Sequence, residues 1–129
     1  MSTFPLQQGS IVRASVPDAN GFIKSRPLLI ISPTDEIVQN RPVAALAITT
    51  TFPDPPRADE VPIPWSRVGY PSTGLRKRSA VVCSWRVNIE PSQVEAVHGY
   101  LPTVYMTKVM ETASRCAQTR GDVEPHDRR

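Results

Sequence analysis

The stretch Arg26-Pro27-Leu28-Leu29-Ile30-Ile31 restricts the fold that this chain can adopt. Its aliphatic residues are continuous instead of alternating, and prolines stand at both ends of the run, at positions 27 and 33. A short aliphatic run with such boundaries is typical of a strand that is covered on both faces. We therefore expect a central strand here, with further strands and another layer packed around it.

Four other short apolar segments predict strands around this one. They are residues 11–16, followed by a turn-rich stretch over 17–21; residues 43–49; residues 60–64; and residues 80–84, continued or bent into 85–89. The alanine content of 43–49 makes a helix a competitor there, but the length of the run favours a strand. Two prolines restrict 60–64 to the edge of a sheet. The core is thus predicted to be mainly β.

One helix is predicted near the carboxyl end of the chain. Apolar side chains recur there at spacings of three and four residues, which is the period of one helix face. They are Met106, Val109, Met110, Ala113 and Cys116. Pro102 suits the entry to this helix over residues 103–116, because a missing N–H costs nothing in the first turn.

Residues 92–101 allow two interpretations. Ser92 and Glu95 have the spacing of a capping box, and three apolar residues have helical spacing. Gly99 and the β-branched residues allow a strand instead. The residues alone leave this segment open.

Length and composition predict one domain with a short tail. The chain has 129 residues, of which 40% are hydrophobic, so a single core over residues 1–117 is expected. Residues 118–129 are rich in charge and poor in aliphatic side chains, so we expect a disordered tail. Six of the 14 prolines fall within residues 53–71 and predict an irregular connection there.

No segment resembles a membrane helix or a leader, so the chain is expected to be soluble and cytoplasmic. The two cysteines, Cys83 and Cys116, lie in apolar surroundings without a second ligand at metal spacing. They are predicted to be buried reduced thiols. Neither a metal nor an organic cofactor is expected.

Charge is unevenly distributed along the chain. The net charge is +3, yet residues 61–89 contain no acidic residue and carry Arg67, Arg76, Lys77, Arg78 and Arg86. Such a window is typical of a surface that faces a polyanion. A solvated loop with its charges balanced by Glu60, Glu90 or Glu95 explains it equally well.

The familiar catalytic motifs are absent from the sequence, including phosphate loops, nucleophile elbows and paired metal-binding histidines. His126 lies in the predicted tail, and His98 is expected to be a partly buried, hydrogen-bonded residue instead of a general base. Arginine and hydroxyl side chains therefore remain as the candidate catalytic groups. If the strands after Arg26 and before Thr49 pair, both side chains can point into one cleft and present donors to a phosphate.

An ordered set of segments resembles the PemK/MazF family of toxins from toxin–antitoxin systems. The segments are 8–12 (QGSIV), 25–32 (SRPLLIIS), 45–50 (ALAITT), 61–63 (VPI), 73–75 (TGL) and 79–82 (SAVV). The resemblance covers residues 9–113. It implies an SH3-like β-barrel with a C-terminal helix, acting as a homodimer, and it makes residues 94–101 a strand.

The resemblance also implies an activity. Members of the family cleave single-stranded RNA at short motifs without a metal, by attack of the ribose 2′-OH, leaving a 2′,3′-cyclic phosphate and a 5′-OH. The family's catalytic arginine and threonine fall on Arg26 and Thr49, and Arg26 is also a candidate proton donor to the departing oxygen. Substrate contacts are expected from Lys24, Thr50, Arg76, Lys77, Arg78 and Arg86, and a cognate antitoxin protein is the expected partner.

Departures from the family pattern keep alternatives open. The loop before Arg26 is more apolar than in many members, so the general base is not identified; Asp18 is a weak candidate, and activation without a dedicated base is equally open. A catalytically silent nucleic-acid-binding or interaction barrel is the main alternative. A gyrase-poisoning toxin ranks lower, because the chain lacks the Trp-Gly-Ile ending of that class.

Overall fold

The computed structural model describes residues 6–18, 20–38 and 40–122. Six strands, one α-helix and two short 3-10 helices lie within this part of the chain. The strands are β1 (Ser10–Pro17), β2 (Ile23–Ile30), β3 (Val43–Thr49), β4 (Glu60–Ile63), β5 (Ser79–Ile89) and β6 (Val94–Tyr100); the helix is α1 (Thr103–Asp122).

The strands form one antiparallel sheet in the order β4-β5-β3-β2-β1-β6. This architecture confirms the predicted mainly β fold with a C-terminal helix. It also settles residues 94–100, which form a strand paired with β1. The proline-rich stretch contributes only the edge strand β4, as the prolines predict, because each one removes a ladder donor.

Apolar side chains are buried on both faces of the sheet. Leu29 and Ile31 belong to a cluster that packs against α1. Leu28 and Ile30 point the other way, into a second cluster that includes residues of β1, β3 and β6. The continuous aliphatic run therefore fills two cores, as its pattern predicts.

The sheet curls so that the turn after β4 meets the end of β6. The amide of Tyr100 donates to the carbonyl of Ser72 at 2.9 Å. Gly99 permits this approach, because a Cβ at that position would lie 2.0 Å from the Ser72 carbonyl oxygen. Gly74, with a φ of +72°, brings the next part of the turn against the backbone of His98. These contacts close one end of the barrel without direct pairing of β4 with β6.

The helix differs from its predicted pattern in two respects. Met110 is 36% exposed, although its spacing placed it in the apolar stripe; Thr112 is buried instead, because its hydroxyl is satisfied by the Lys108 carbonyl. The helix also runs to Asp122, past the predicted end at Cys116. Extending an existing helix is inexpensive, since each added residue gains a hydrogen bond. Residues 118–122 of the predicted tail, 118–129, belong to this helix, and residues 123–129 lie outside the described residues.

The two cysteines lie on facing elements, Cys83 on β5 and Cys116 on this helix. Cys83 is buried, Cys116 is half-buried, and no disulfide joins them. Burial raises the pKa of Cys83 to about 12, so its thiol is protonated and unreactive at neutral pH.

Val109 is the fully buried residue through which α1 packs on the sheet. We predict that Val109→Ala lowers the free energy of unfolding by about 2 kcal/mol, because two buried methyl groups are lost and a cavity remains. Val104→Ala is the matched control on the same helix, at a site that is 72% exposed. Urea titration should show a change below about 0.5 kcal/mol for the control. Equal losses in the two variants would show that this face of the helix does not anchor it.

Candidate active site in a cationic groove

The separated ends of β2 and β3 form the centre of the site. The two strands pair as far as Leu28 with Ala47, and the ladder stops there. Continued by two residues, the same register would set Arg26 level with Thr49, on one face of the sheet. Both side chains line the same groove. The structure thus brings together the two residues that sequence reasoning placed in one cleft.

Arg26 is held by an aromatic ring. Its guanidinium carbon lies 4.8 Å from the centroid of the Trp85 ring, a cation–π distance. Its Nε is buried and has no hydrogen-bond partner among the described residues. A buried donor without an acceptor is costly, so a ligand oxygen at this position would be favoured.

The hydroxyl of Thr49 is fixed by a local turn. It donates to the carbonyl of Thr51 and accepts from the amide of Thr51, both at 3.1 Å. These bonds orient the hydroxyl at the end of β3. Thr50 and Thr51, both exposed, continue the wall of the groove.

The groove has a volume of about 680 Å³ and is strongly cationic. Among the described residues that line it, five are basic and none is acidic: Arg13, Lys24, Arg26, Arg76 and Lys77. A concave surface with one sign of charge concentrates ligands of the opposite sign. The groove is therefore suited to a polyanion.

The predicted substrate contacts divide into two groups. Lys24, Thr50, Arg76 and Lys77 line the groove, whereas Arg78 and Arg86 do not. Arg78 stacks on Phe52, with its guanidinium carbon 3.7 Å from the ring centroid, and donates to the carbonyls of Phe52 and Pro53. Those contacts tie down the proline-rich connection. The acid-free window therefore supplies only part of the groove's charge.

Asp18, the weak candidate for a general base, has a structural task. Its Oδ1 accepts hydrogen bonds from the amides of Asn20 and Phe22, at 2.9 and 3.0 Å. An aspartate that caps a turn in this way stabilises the loop. It does not line the groove, so the structure gives it no place in the chemistry.

Sequence reasoning missed Arg13 and assigned no site role to His98. The Nε of Arg13 donates to Nε2 of His98 at 3.3 Å, and its Nη1 donates to the Ser25 carbonyl at 3.3 Å. The sequence signal for Arg13 was the alternation of side chains in β1. The face that begins with buried Ile11 becomes polar at Arg13 and Ser15, whereas the other face stays apolar. Strand pairing was needed to bring His98 beside it.

A carboxylate supports this cluster from outside the groove. Glu95 accepts hydrogen bonds from the hydroxyls of Ser15 and Ser25, at 2.6 and 2.8 Å. These two bonds, with a smaller contribution from the charge of Arg13, lower the pKa of Glu95. Its negative charge is therefore retained at neutral pH and lies close to Ser25, the residue before Arg26.

Clustered metal ligands and a membrane-spanning helix are both absent from the part of the chain that the structure describes. No cluster of three or more histidine, cysteine, aspartate or glutamate side chains has metal-binding geometry there. No described helix is both long enough and apolar enough to cross a membrane.

Comparison with known proteins identifies the fold. No family model and no curated protein matches the chain. Solved structures do match: MazF from Deinococcus radiodurans is 14% identical with a TM-score of 0.69, and covers 91% of this chain and 99% of its own. The Mycobacterium tuberculosis toxin MazF-mt6 is 24% identical with a TM-score of 0.64, and the match covers 84% of this chain and 96% of the toxin. An endoribonuclease from a mycobacterial species, solved with its cognate antitoxin, is 17% identical with a TM-score of 0.68. That match covers 88% of this chain and 95% of the endoribonuclease. The chain therefore has the MazF-like fold over most of its length.

Burial, and secondarily the charge of Arg13, lower the pKa of His98 below its ordinary value of 6.5. We predict that Arg13→Gln raises this pKa, because it removes the cation that opposes protonation of the ring. An NMR titration of the histidine ring carbons measures the change, and His126→Gln assigns the signals, since the chain has only two histidines. An unchanged pKa in Arg13→Gln would show that the two side chains are not in contact in solution.

Proposed function

We propose that this chain is the toxin of a type II toxin–antitoxin pair, a sequence-specific endoribonuclease that cleaves single-stranded RNA without a metal. The observation that carries the proposal is the placement of Arg26 and Thr49 across the separated ends of β2 and β3, in a groove lined by cations. The fold supports it, because structures described as endoribonucleases and as MazF share the architecture.

The chemistry requires few protein groups. The ribose 2′ oxygen attacks the adjacent phosphorus, a new P–O2′ bond forms, and the P–O5′ bond breaks. The products are a 2′,3′-cyclic phosphate and a 5′-OH, with the 2′ proton lost and a proton gained at the departing 5′ oxygen. Negative charge develops on the phosphoryl oxygens, so fixed donors that face them lower the barrier.

Arg26 and Thr49 are the proposed donors. Arg26 has an unpartnered Nε and a guanidinium oriented by Trp85, so little reorganisation is needed when a phosphate arrives. The Thr49 residue lines the same groove from β3, and its hydroxyl would turn its proton from the Thr51 carbonyl to the phosphate. Arg26 is also the proposed proton donor to the departing 5′ oxygen.

No general base is assigned to the reaction. Carboxylates are absent from the described lining of the groove. The Nε2 lone pair of His98 is already occupied by Arg13 in the free protein. We propose that water accepts the 2′ proton while the basic lining stabilises the developing 2′ alkoxide.

Substrate binding is assigned to the remaining groove residues. Lys24 and Thr50 lie close to Arg26 and Thr49 along their own chain segments, and Arg76 and Lys77 join the lining from the turn before β5. Phosphates of an unstacked strand would follow these charges, and base edges would be left for recognition.

Two protein partners belong to the proposal. A cognate antitoxin is proposed because one structural neighbour was solved with its own. A homodimer follows from the family resemblance. Large apolar side chains that a subunit interface would cover are exposed on the described surface, among them Val68 and Tyr100, at 86% and 57%.

Arg26→Ala and Thr49→Ala are predicted to lower the single-turnover rate of RNA cleavage by about a hundred- to a thousandfold each, because each removes a donor to the transition state. The assay uses a defined RNA in excess chelator, with the product ends identified by sequencing. Arg41→Ala is the control. It removes the same charge from an exposed site beside the start of β3, at the opposite end of that strand from Thr49.

The outcomes separate the proposed function from its main alternative. Cleavage by the wild type and Arg41→Ala, lost in the two site variants, supports the nuclease. RNA that is bound by all four proteins and cut by none would favour a silent binding barrel. Equal cleavage by Arg26→Ala and the wild type would rule out this site.

RNA binding is predicted to weaken as salt rises, because each phosphate contact releases a counterion. The double variant Arg76→Ala/Lys77→Ala should reduce the slope of log affinity against log salt by about 1.4, since each contact to a single strand contributes about 0.7. Fluorescence anisotropy with a labelled RNA, using Arg26→Ala as the background to prevent cutting, gives both slopes. An unchanged slope would remove these two residues from the binding surface.

A further inference from the structure

Two of the three nitrogens of the Arg13 guanidinium donate hydrogen bonds within the protein. Its Nε donates to His98 and its Nη1 to Ser25, and no hydrogen bond from its Nη2 is found among the described residues. The residue is half-buried and lines the groove. The guanidinium is thus anchored through Nε and Nη1, which leaves the N–H groups of Nη2 for a ligand.

The anchoring of Arg13 connects it to the proposed catalytic centre. The carbonyl that accepts from Nη1 belongs to Ser25, the residue directly before Arg26. Arg13 and Arg26 lie on adjacent strands, β1 and β2, and both residues belong to the lining of one groove. A strand whose scissile phosphate contacts Arg26 would bring a neighbouring phosphate toward Arg13.

We propose that Arg13 and His98 form a second phosphate-binding subsite in this groove, in which Arg13 contacts the phosphate and His98 is the positioning residue that holds Arg13. The inference rests on the proposed function for the identity of the ligand, a phosphate of single-stranded RNA. It assigns tasks to two residues that lie outside the Arg26 and Thr49 centre.

The charges around His98 favour the neutral ring that this positioning role requires. Arg13 faces it from β1, Lys24 and Arg26 line the same groove from β2, and Arg76 and Lys77 do so from the turn after β4. On its own strand β6 lies Glu95, which is engaged by two serine hydroxyls. The cations favour a neutral ring, and a neutral ring with an unprotonated Nε2 can accept from Arg13.

A bound phosphate should change the protonation of His98. An anion on Arg13 offsets the positive charge that opposes protonation, so the pKa of His98 rises when phosphate binds. By linkage, phosphate then binds more tightly as the pH falls through that range. A histidine that only packs the barrel would not respond to phosphate in this way.

The first test uses inorganic phosphate and needs no RNA. The pKa of His98 is measured by NMR in the full chain, with and without saturating phosphate, at constant ionic strength set by chloride. The expected result is a higher pKa with phosphate in the wild type and in Arg41→Gln. Arg13→Gln should show no such rise. A rise of the same size in Arg13→Gln, or none in the wild type, overturns the subsite.

The second test uses RNA. Arg13→Gln should raise KM for a cleaved RNA roughly tenfold, because a charged hydrogen bond to substrate is lost, and leave kcat within about threefold. His98→Leu should behave like Arg13→Gln, whereas His98→Gln should restore binding, since its amide oxygen can accept from Arg13. A loss confined to kcat, or His98→Gln as weak as His98→Leu, contradicts the positioning role.

The two experiments distinguish failure of the subsite from failure of the proposed function. If the wild type cuts no RNA, the proposed nuclease is wrong, and the phosphate titration still decides whether Arg13 and His98 bind an anion. If the wild type cuts RNA but Arg13→Gln changes neither KM nor the phosphate response, the proposed nuclease is retained and the second subsite is wrong.

Discussion

The pairing of β2 with β3 ends at Leu28 and Ala47, and the groove depends on that ending. Had the ladder continued, the backbone donors and acceptors beside Arg26 and Thr49 would be consumed in the sheet. Their side chains would then stand on a closed surface. Because the strands separate, the two residues remain in register on strongly anchored segments and face open space between them. The aliphatic residues just beyond them, buried on both faces, supply the rigidity that a preorganised site requires.

The same separation explains how the charges are arranged. Trp85 on β5 contacts Arg26 from the second core, so the guanidinium is oriented before any ligand binds. The turn after β4 adds Arg76 and Lys77 to the lining, and its approach to β6 depends on Gly74 and Gly99. The cationic lining is thus assembled from three parts of the chain, which are β1, β2 and this turn. A phosphodiester fits such a surface better than a neutral ligand does, because the energy of binding comes chiefly from charge.

Much of the fold was readable in the sequence because its signals are local. The aliphatic run after Arg26 predicted a strand between two cores, and the prolines predicted an edge strand and an irregular connection. Segment 94–100 was not decided by its residues, since Gly99 and the spacing of its valines fit two structures; only pairing with β1 selects the strand. The residues of the candidate site likewise differ in how far local sequence signals could predict them. The shared groove of Arg26 and Thr49 was expected from their positions at strand ends, and their proposed roles come from the family resemblance. Arg78 was assigned by charge, and it instead holds the backbone of Phe52 and Pro53. Arg13 was missed because its partner His98 is distant in sequence and near only through the register of β1 with β6.

The central claim is that this groove cleaves RNA with the substrate's own 2′ oxygen and without a metal. The most direct measurement compares an RNA that the wild type cuts with the same RNA carrying a single 2′-deoxy substitution at the scissile nucleotide, both in excess chelator. We expect the two RNAs to bind with similar affinity, only the unmodified RNA to be cut, and its products to carry a 2′,3′-cyclic phosphate and a 5′-OH. Cleavage of the deoxy-substituted RNA at the same bond, or cleavage that requires added Mg²⁺, would contradict it.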